Sequence, residues 1–220
     1  TVPYEIYQED LNPAKGDFAH PGYKLALEKY SQLTPYFNDS ANAIRHDEAR
    51  STLFNGESAM MYLEIIEIPT IESEAPEEFK NNYDVFVMPE VTEGEGDPNA
   101  LIGYPEGFVI SSNTDHPDEA VKFLKYLTGK EVGQKEAQDL LFVNGVKNVV
   151  SKGEIPDSVY NTTQLVLETE RLVNWFDSSL HAEIWSVAGS ELQKITDGVT
   201  TPEKALERIR KAAEDVREQF

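Results

Sequence analysis

Apolar residues recur every three or four positions in several stretches of the chain, which is the spacing of one helical face. Tyr23, Leu27 and Tyr30 form such a stripe, and Pro35 ends it. Another helix start is marked by Pro117, which is followed at once by acidic residues. The pattern predicts helices over residues 23–33, 45–55, 116–128, 131–141, 158–172, 180–196 and from 201 to near the end.

Three shorter apolar segments between these helices are typical of buried strands. They cover residues 59–63, 83–88 and 108–110, and Pro89 closes the second. The opening stretch to Gly16 has turn residues and little periodicity, so we expect irregular structure there. Strands interleaved with helices, without one continuous alternation, predict an α/β fold with mixed connectivity.

Composition excludes several classes of function. A net charge of −21 on 220 residues would repel phosphate backbones and anionic lipid headgroups, so we expect neither nucleic-acid nor membrane-surface binding. No apolar run approaches the roughly 20 residues that a membrane-spanning helix needs. The absence of Cys excludes thiolate metal sites, and the four His residues lack metal-ligand spacing. We therefore predict no metal and no cofactor.

The first residues give no information about the compartment. The segment TVPYE at 1–5 reads like the interior of a protein, so we expect a fragment or a processed product. Under that interpretation, the lack of a signal peptide at this end does not bear on secretion.

Aromatic residues at turns and at the ends of elements are the candidate binding residues. Tyr62 ends a predicted strand near Glu64, and Tyr104 lies in the turn GYPEG. Trp175, Phe176 and Asp177 open a loop before Trp185. Aromatic rings bury the flat C–H faces of sugars, and carboxylates accept hydrogen bonds from their hydroxyls. A role in packing the core explains each aromatic about equally well.

Catalysis is a weaker interpretation. Glu64 and Glu67 follow a predicted strand and could form a glycosidase-like carboxylate pair. With 40 acidic residues in the chain, however, neighbouring carboxylates are expected by chance. No nucleophile elbow, phosphate-binding loop or dinucleotide fingerprint is present. We therefore predict that the chain is not an enzyme, with a carbohydrate-active domain as the alternative.

Three segments, in a fixed order, resemble the extracellular solute-binding proteins of ABC importers, in the sugar-binding family that includes maltose-binding protein. They read LFNGESAMM at 53–61, GYPEGFVIS at 103–111 and HPDEAVKFL at 116–124. The first is similar to the family segment in which a helix runs into a strand of the C-terminal lobe. The second resembles the strand that crosses towards the N-terminal lobe at the hinge.

The resemblance also assigns roles to residues. The helix start TPEKAL at 201–206 matches a family helix start, and counting back from it places Trp185 on a sugar-stacking tryptophan. The segment at 175–177 resembles a loop that family members aim at their ligand, which would make Asp177 an acceptor. Tyr104 and Glu106 would lie near the cleft. Ile65 and Ile66 stand where maltose-binding members carry an aromatic, which argues against a maltodextrin ligand.

The resemblance further implies a periplasmic-binding-protein-like fold of two lobes. Residues 1–104 and 151–220 would form the C-terminal lobe, and residues 105–150 a returning part of the N-terminal lobe. The expected partners are a small-molecule ligand, which the resemblance implies is a sugar, and the permease subunits of an ABC transporter. The protein would be a monomer, extracellular or periplasmic, and tethered to the membrane as a lipoprotein.

Two further alternatives stay open at this stage. Peptide and polyamine receptors share the two-lobe architecture, so the ligand need not be a sugar. A purely structural acidic interaction domain would also satisfy the composition, and it would lack a concave aromatic surface.

Overall fold

The computed structural model describes residues 1–39, 41–104 and 107–220. Its first helices are α1 (Tyr4–Asp10), α2 (Pro21–Leu33), α3 (His46–Phe54), α4 (Ile68–Glu74) and α5 (Glu77–Lys80), with 3-10 turns at Thr34–Tyr36 and Ile65–Glu67. After them come β1 (Leu101–Ile102), α6 (Pro117–Leu127), α7 (Lys130–Asp139) and α8 (Asp157–Glu168). The chain ends with β2 (Leu172–Val173), α9 (Phe176–Ser179), α10 (Ala182–Thr196) and α11 (Pro202–Arg217).

The chain forms two compact units, each built from separate stretches of sequence. The first unit contains Thr1–Ala49, Pro89–Tyr104 and Arg171–Phe220. The second unit contains Arg50–Met88 and Pro105–Glu170. These bounds describe the packing of the 220 residues, and the assignment of sequence segments to two lobes stays a prediction.

The core of the first unit lies between α2, α10 and α11. The helix α11 starts where the sequence predicts, because the Thr201 hydroxyl caps it by accepting from the Lys204 N–H at 3.4 Å. Its apolar positions fall on one face, and Ile209, Ala213 and Val216 are buried. They pack with Phe18, Tyr23, Ile184 and Ala188 into one cluster.

The core of the second unit is smaller. Ile68 from α4 and Val159 from α8 are 3% and 1% exposed, and they pack with Ile155. Partly buried apolar side chains surround this group: Leu141, Val143, Val150 and Tyr160. The Thr162 and Thr163 hydroxyls are buried on α8 and donate to carbonyls one turn earlier, which satisfies them.

The prediction of three buried strands was wrong. Residues 59–63, 83–88 and 108–110 are irregular chain and, among the described residues, belong to no sheet. Their apolar side chains face water, and Met60, Phe86 and Val109 are 71%, 65% and 94% exposed. A strand exists only where a neighbouring strand accepts its hydrogen bonds, and the described residues supply no such neighbour here. The segments keep the composition of buried strands without the pairing.

The stretch before Gly16 contains a helix that its weak periodicity did not indicate, because residues Tyr4–Asp10 form α1, and turns follow it as expected. The buried carboxylate of Asp10 holds the end of this helix. Its Oδ1 accepts the N–H groups of Asp17 at 2.9 Å and Phe18 at 3.1 Å, and its Oδ2 accepts the Tyr23 hydroxyl at 2.8 Å. Burial, and next the hydrogen bond to Asp10, raise the pKa of Tyr23.

Candidate functional site

A two-stranded parallel sheet in the first unit brings distant predicted residues to one edge. Leu101 pairs with Leu172 and Ile102 with Val173, and the Gly103 N–H donates to the Val173 carbonyl at 2.9 Å. Because both strands run in the same direction, the residues that follow them leave the sheet at the same edge. These residues are Tyr104 after β1, and Trp175, Phe176 and Asp177 after β2. We call these four residues the aromatic edge.

The members of the aromatic edge are accessible to a ligand. Tyr104 is 62% exposed and Phe176 is 37% exposed, while Trp175 is half-buried. Asp177 is exposed in the first turn of α9. Flat apolar rings beside an exposed carboxylate can cover a C–H face and accept hydrogen bonds from hydroxyl groups. The arrangement therefore suits a neutral ligand that has both an apolar face and several donors.

Residues of α1 that the sequence analysis did not single out pack behind this edge. The Tyr7 hydroxyl donates to the Asn174 carbonyl at 2.5 Å, and the Tyr7 ring meets the Phe176 ring edge-on at 5.1 Å. The Arg171 guanidinium lies over the Tyr4 ring, 4.5 Å from its centroid. Tyr4 and Tyr7 share a face at helical spacing, which is the one local signal that could have found them.

Trp185 lies on α10, close in sequence to the aromatic edge, and α9 and α10 contact each other. Its side chain is partly buried and packs against the core cluster of the first unit. The indole also passes over Gly189, where an added Cβ would lie 3.9 Å from it. The structure thus shows a packing role for Trp185, and its stacking on a ligand stays a prediction.

The remaining predicted residues belong to the second unit or lie outside the described residues. Tyr62 is 63% exposed, and Glu64 is exposed two positions later. Partial burial, and then the negative charge of Glu64, raise the pKa of Tyr62. Glu106, which the sequence analysis places near the cleft, lies outside the described residues.

The carboxylates considered for catalysis have different environments. Glu67 is bound by Arg50 at 2.6 Å and its side chain is 19% exposed, whereas Glu64 is exposed. Arg50 also reaches Glu74 at 3.2 Å. The carboxylate of Glu67 is thus engaged by Arg50, and the two carboxylates lie in different surroundings.

In the described part of the chain, no group of three or more His, Asp or Glu side chains is arranged to hold a metal ion. None of the helices described is both long enough and apolar enough to cross a bilayer.

A separate groove of about 490 Å³ lies between α10 and α11. Charged side chains line it, among them Glu191, Lys194, Arg208 and Lys211. Its cations are engaged within the protein: Lys194 and Arg208 bind Glu191, and Lys211 binds Glu214 and Asp215. The groove contains none of the predicted ligand-binding residues.

Two solved structures share the fold of this chain. One is described as "Biochemical and structural insights into xylan utilization" by the thermophilic bacterium Caldanaerobius polysaccharolyticus; it is 19% identical, with a TM-score of 0.76. The match covers 96% of this chain and 54% of that one. The other, a chitin oligosaccharide binding protein, is 18% identical with a TM-score of 0.69, covering 97% of this chain and 56% of that one. The chain therefore spans about half the length of the structures it matches.

The sequence of this chain matches a known protein family over much of its length. No curated protein matches this sequence. The model of the family described as bacterial extracellular solute-binding protein matches residues 6–134, which is more than half of the chain. Together with the two similar structures, this match confirms the resemblance and the fold class that the sequence motifs indicated. The chain belongs to the bacterial extracellular solute-binding protein family.

Proposed function

We propose that this chain is part of an extracellular or periplasmic receptor that binds an oligosaccharide and delivers it to the permease of an ABC importer. Family membership supports the receptor role. The observation that supports the ligand class is the aromatic edge, where Tyr104 follows β1 and Trp175–Asp177 follow the strand β2 that pairs with it.

The chemistry of that edge favours a sugar over a charged ligand. Its rings offer apolar faces of the size of a pyranose ring, and Asp177 adds an acceptor for hydroxyl groups. A peptide or polyamine receptor would need carboxylates placed for ammonium groups. A polyamine remains the competing ligand to test, because the net charge of −21 would attract it without any specific site.

The similar structures narrow the choice of sugars. Their descriptions name xylan utilisation and chitin oligosaccharide, and both polymers are β-1,4-linked chains of pyranose rings. Ile65 and Ile66 are 39% and 47% exposed, at the place where maltose-binding members carry an aromatic. We therefore propose xylo- or chito-oligosaccharides ahead of malto-oligosaccharides.

The finer features of the proposal follow from the family resemblance. They include a monomer tethered to the membrane, and a lobe assignment of 1–104 with 151–220 and, separately, 105–150. Tyr62, Glu64, Glu106 and Trp185 are proposed as further ligand contacts. An affinity near micromolar, about −8 kcal/mol, would allow both capture and release.

The test is isothermal titration calorimetry of the full-length protein with xylotriose, chitotriose, maltotriose, a tripeptide and spermidine. We expect one of the first two to bind near micromolar affinity. Trp175→Ala should weaken binding by about tenfold, because a stacked ring can contribute about 1.4 kcal/mol. The control is Tyr36→Ala, an aromatic that is 85% exposed elsewhere in the first unit, and its affinity should match the unmodified protein.

The result against the proposal is equally definite. Binding of the tripeptide or spermidine, with no heat from any oligosaccharide, would remove the carbohydrate ligand and leave the family assignment in place. Equal losses in the Trp175 and Tyr36 variants would remove the aromatic edge as the site.

A further inference from the structure

The helix α1 is anchored at its C-terminal end by Asp10, while its earlier residues Tyr4 and Tyr7 contact the segment around β2. Asp10 is 4% exposed, and its carboxylate accepts from two backbone N–H groups and from the Tyr23 hydroxyl. Close packing fixes the turn that follows, because a Cβ on Gly16 would lie 2.2 Å from the Asp10 carbonyl oxygen. The position of α1 is thus set by the core of the first unit.

From this anchored helix, two tyrosines hold β2 at both of its ends. Tyr4 supports the Arg171 guanidinium just before the strand. Tyr7 binds the Asn174 carbonyl just after it. Arg171 is held from a second direction by the Asp97 carboxylate at 3.7 Å. The strand and the segment that leaves it are therefore aligned by side chains from α1.

Tyr7 makes two contacts that together orient the residues of the aromatic edge. Its hydrogen bond fixes the carbonyl of Asn174, which belongs to the peptide group that Trp175 shares. Its ring meets the Phe176 ring at an angle of 73°. Tyr7 is 6% exposed, and burial, followed by the neighbouring Tyr4, raises the pKa of its hydroxyl. The hydroxyl consequently stays protonated and able to donate at neutral pH.

The segment needs this support because it has little stability of its own. The helix α9 has four residues, and Trp175 precedes it in an extended conformation, without a side-chain hydrogen bond that caps the helix. A helix this short does not form without tertiary contacts. A binding segment that is already ordered before the ligand arrives avoids the loss of conformational entropy on binding.

We infer that Tyr7 is a positioning residue, which holds Trp175, Phe176 and Asp177 in their binding arrangement without touching the ligand. This inference rests on the proposed function for its effect on affinity. Its structural half, the ordering of residues 174–180, can be measured without a ligand.

Tyr30 provides a closely matched control in the same unit. Its hydroxyl shares a hydrogen bond with the Thr196 hydroxyl at 2.7 Å, and its ring meets Phe37 edge-on at 5.9 Å. Both tyrosines thus join an N-terminal helix to the C-terminal part of the chain through the hydroxyl, and each also makes one edge-on ring contact. Thr196 ends α10, about 21 Å along the helix from the end that adjoins α9.

The experiment compares Tyr7→Phe with Tyr30→Phe in the full-length protein by two measurements. Hydrogen exchange followed by mass spectrometry reports on the segment, where the Leu180 N–H donates to the Phe176 carbonyl at 2.8 Å. Calorimetry with xylotriose and chitotriose reports on affinity. We expect Tyr7→Phe to speed exchange in 174–180 and to weaken binding about fivefold, the effect of one lost hydrogen bond.

Tyr7→Leu, which also removes the ring, should weaken binding further. The midpoint of urea unfolding serves as a check on stability. Tyr30→Phe should lower this midpoint about as much as Tyr7→Phe does, while leaving both exchange in 174–180 and affinity unchanged.

The outcomes separate the inference from the proposed function. Exchange in 174–180 that is the same in Tyr7→Phe and the unmodified protein would overturn the inference, and so would equal losses of affinity in the two variants. Faster exchange only in the Tyr7 variant, with no sugar bound by the unmodified protein, would support the positioning role and refute the oligosaccharide receptor.

Discussion

The buried carboxylate of Glu191 offers a test in which removing the partners should destabilise the protein more than removing the charge itself. Glu191 is 2% exposed between α10 and α11. Lys194 lies 2.7 Å from one of its oxygens and Arg208 lies 2.6 Å from the other. The two cations are 44% and 51% exposed, so water can solvate them if the carboxylate is lost.

The expected magnitudes follow from this asymmetry. A buried charge left without its partner costs about 3–5 kcal/mol, and we expect the lower end, about 3 kcal/mol, for Lys194→Met with Arg208→Met because the adjoining groove admits water. Glu191→Gln keeps one acceptor oxygen but turns its NH2 group towards a cation, which is exposed and can move into water, so it should cost about 1–2 kcal/mol. Combining Glu191→Leu with both methionines should recover most of the stability, since an apolar set can replace a buried ion cluster.

The pH dependence has a defined sign. Burial alone would raise the pKa of Glu191, but hydrogen bonds from Lys194 and Arg208 outweigh it, and the pKa is lowered below its ordinary value. The stability that this group contributes is therefore present above its unfolded pKa and is lost as the pH falls through the folded one. Without the cations the folded pKa rises instead. The difference in unfolding free energy between the unmodified protein and the variant with Lys194→Met and Arg208→Met should then shrink as the solution is acidified.

The assay is urea unfolding of the full-length protein, followed by far-UV circular dichroism at neutral pH and near pH 4.5. Lys211→Met serves as the matched control, because within the described residues Lys211 pairs with exposed carboxylates of its own helix. The reasoning is refuted if Glu191→Gln costs more than the double cation variant. It is refuted equally if the cost of the double variant does not fall on acidification.

Three further predictions concern stability, each measured by urea unfolding. Asp10→Ala leaves two backbone N–H groups and the Tyr23 hydroxyl without an acceptor, and should cost about 3 kcal/mol; a loss below about 1 kcal/mol would show that water replaces the carboxylate. Gly198→Ala should cost about 1 kcal/mol, because the φ angle of Gly198, which follows α10, is 67°. Gly189→Ala inside α10 should be neutral or stabilising. Similar effects of the two substitutions would contradict a left-handed cap at Gly198. Val109→Asp should change the stability of the 220-residue chain by less than about 0.5 kcal/mol, since Val109 is 94% exposed, and a loss above about 2 kcal/mol would show that it is buried.

The helices could be predicted from sequence because their hydrogen bonds join residues four positions apart. The predicted helices at 180–196 and from 201 are observed at Ala182–Thr196 and Pro202–Arg217. The prediction at 158–172 extended too far, since the chain leaves α8 at Glu168 and enters β2 at Leu172. Nothing local marks that change, because β2 is defined by its pairing with β1, about 70 residues earlier in the chain.

The short helix α1 shows the opposite case. Its seven residues lack an apolar stripe that local analysis recognises, and residues distant in sequence hold it. Asp10 is bound by Tyr23, and Tyr7 by Asn174, which is 167 positions away. Such contacts decide whether a marginal helix forms, and no window of neighbouring residues contains them.

The candidate site divides in the same way. Its residue types could be identified from sequence, because aromatic side chains at turns beside carboxylates have recognisable chemistry. That Tyr104 and Trp175–Asp177 both follow strands of one parallel pair could be seen only from the pairing of β1 with β2. Trp185 shows core packing in the structure, and its contact with a ligand stays a prediction.

By itself, the sequence determined the family, the helices and the acidic, cysteine-free character of the chain. Ordered motifs, helical periodicity and composition can all be recognised without knowing which distant residues meet. Only the tertiary structure decided that Tyr7 stands behind the aromatic edge and that the three strand-like segments are unpaired among the described residues. Both depend on pairing between residues far apart in the chain. The closing of long loops makes such pairing a property of the whole fold, which no short stretch of sequence specifies.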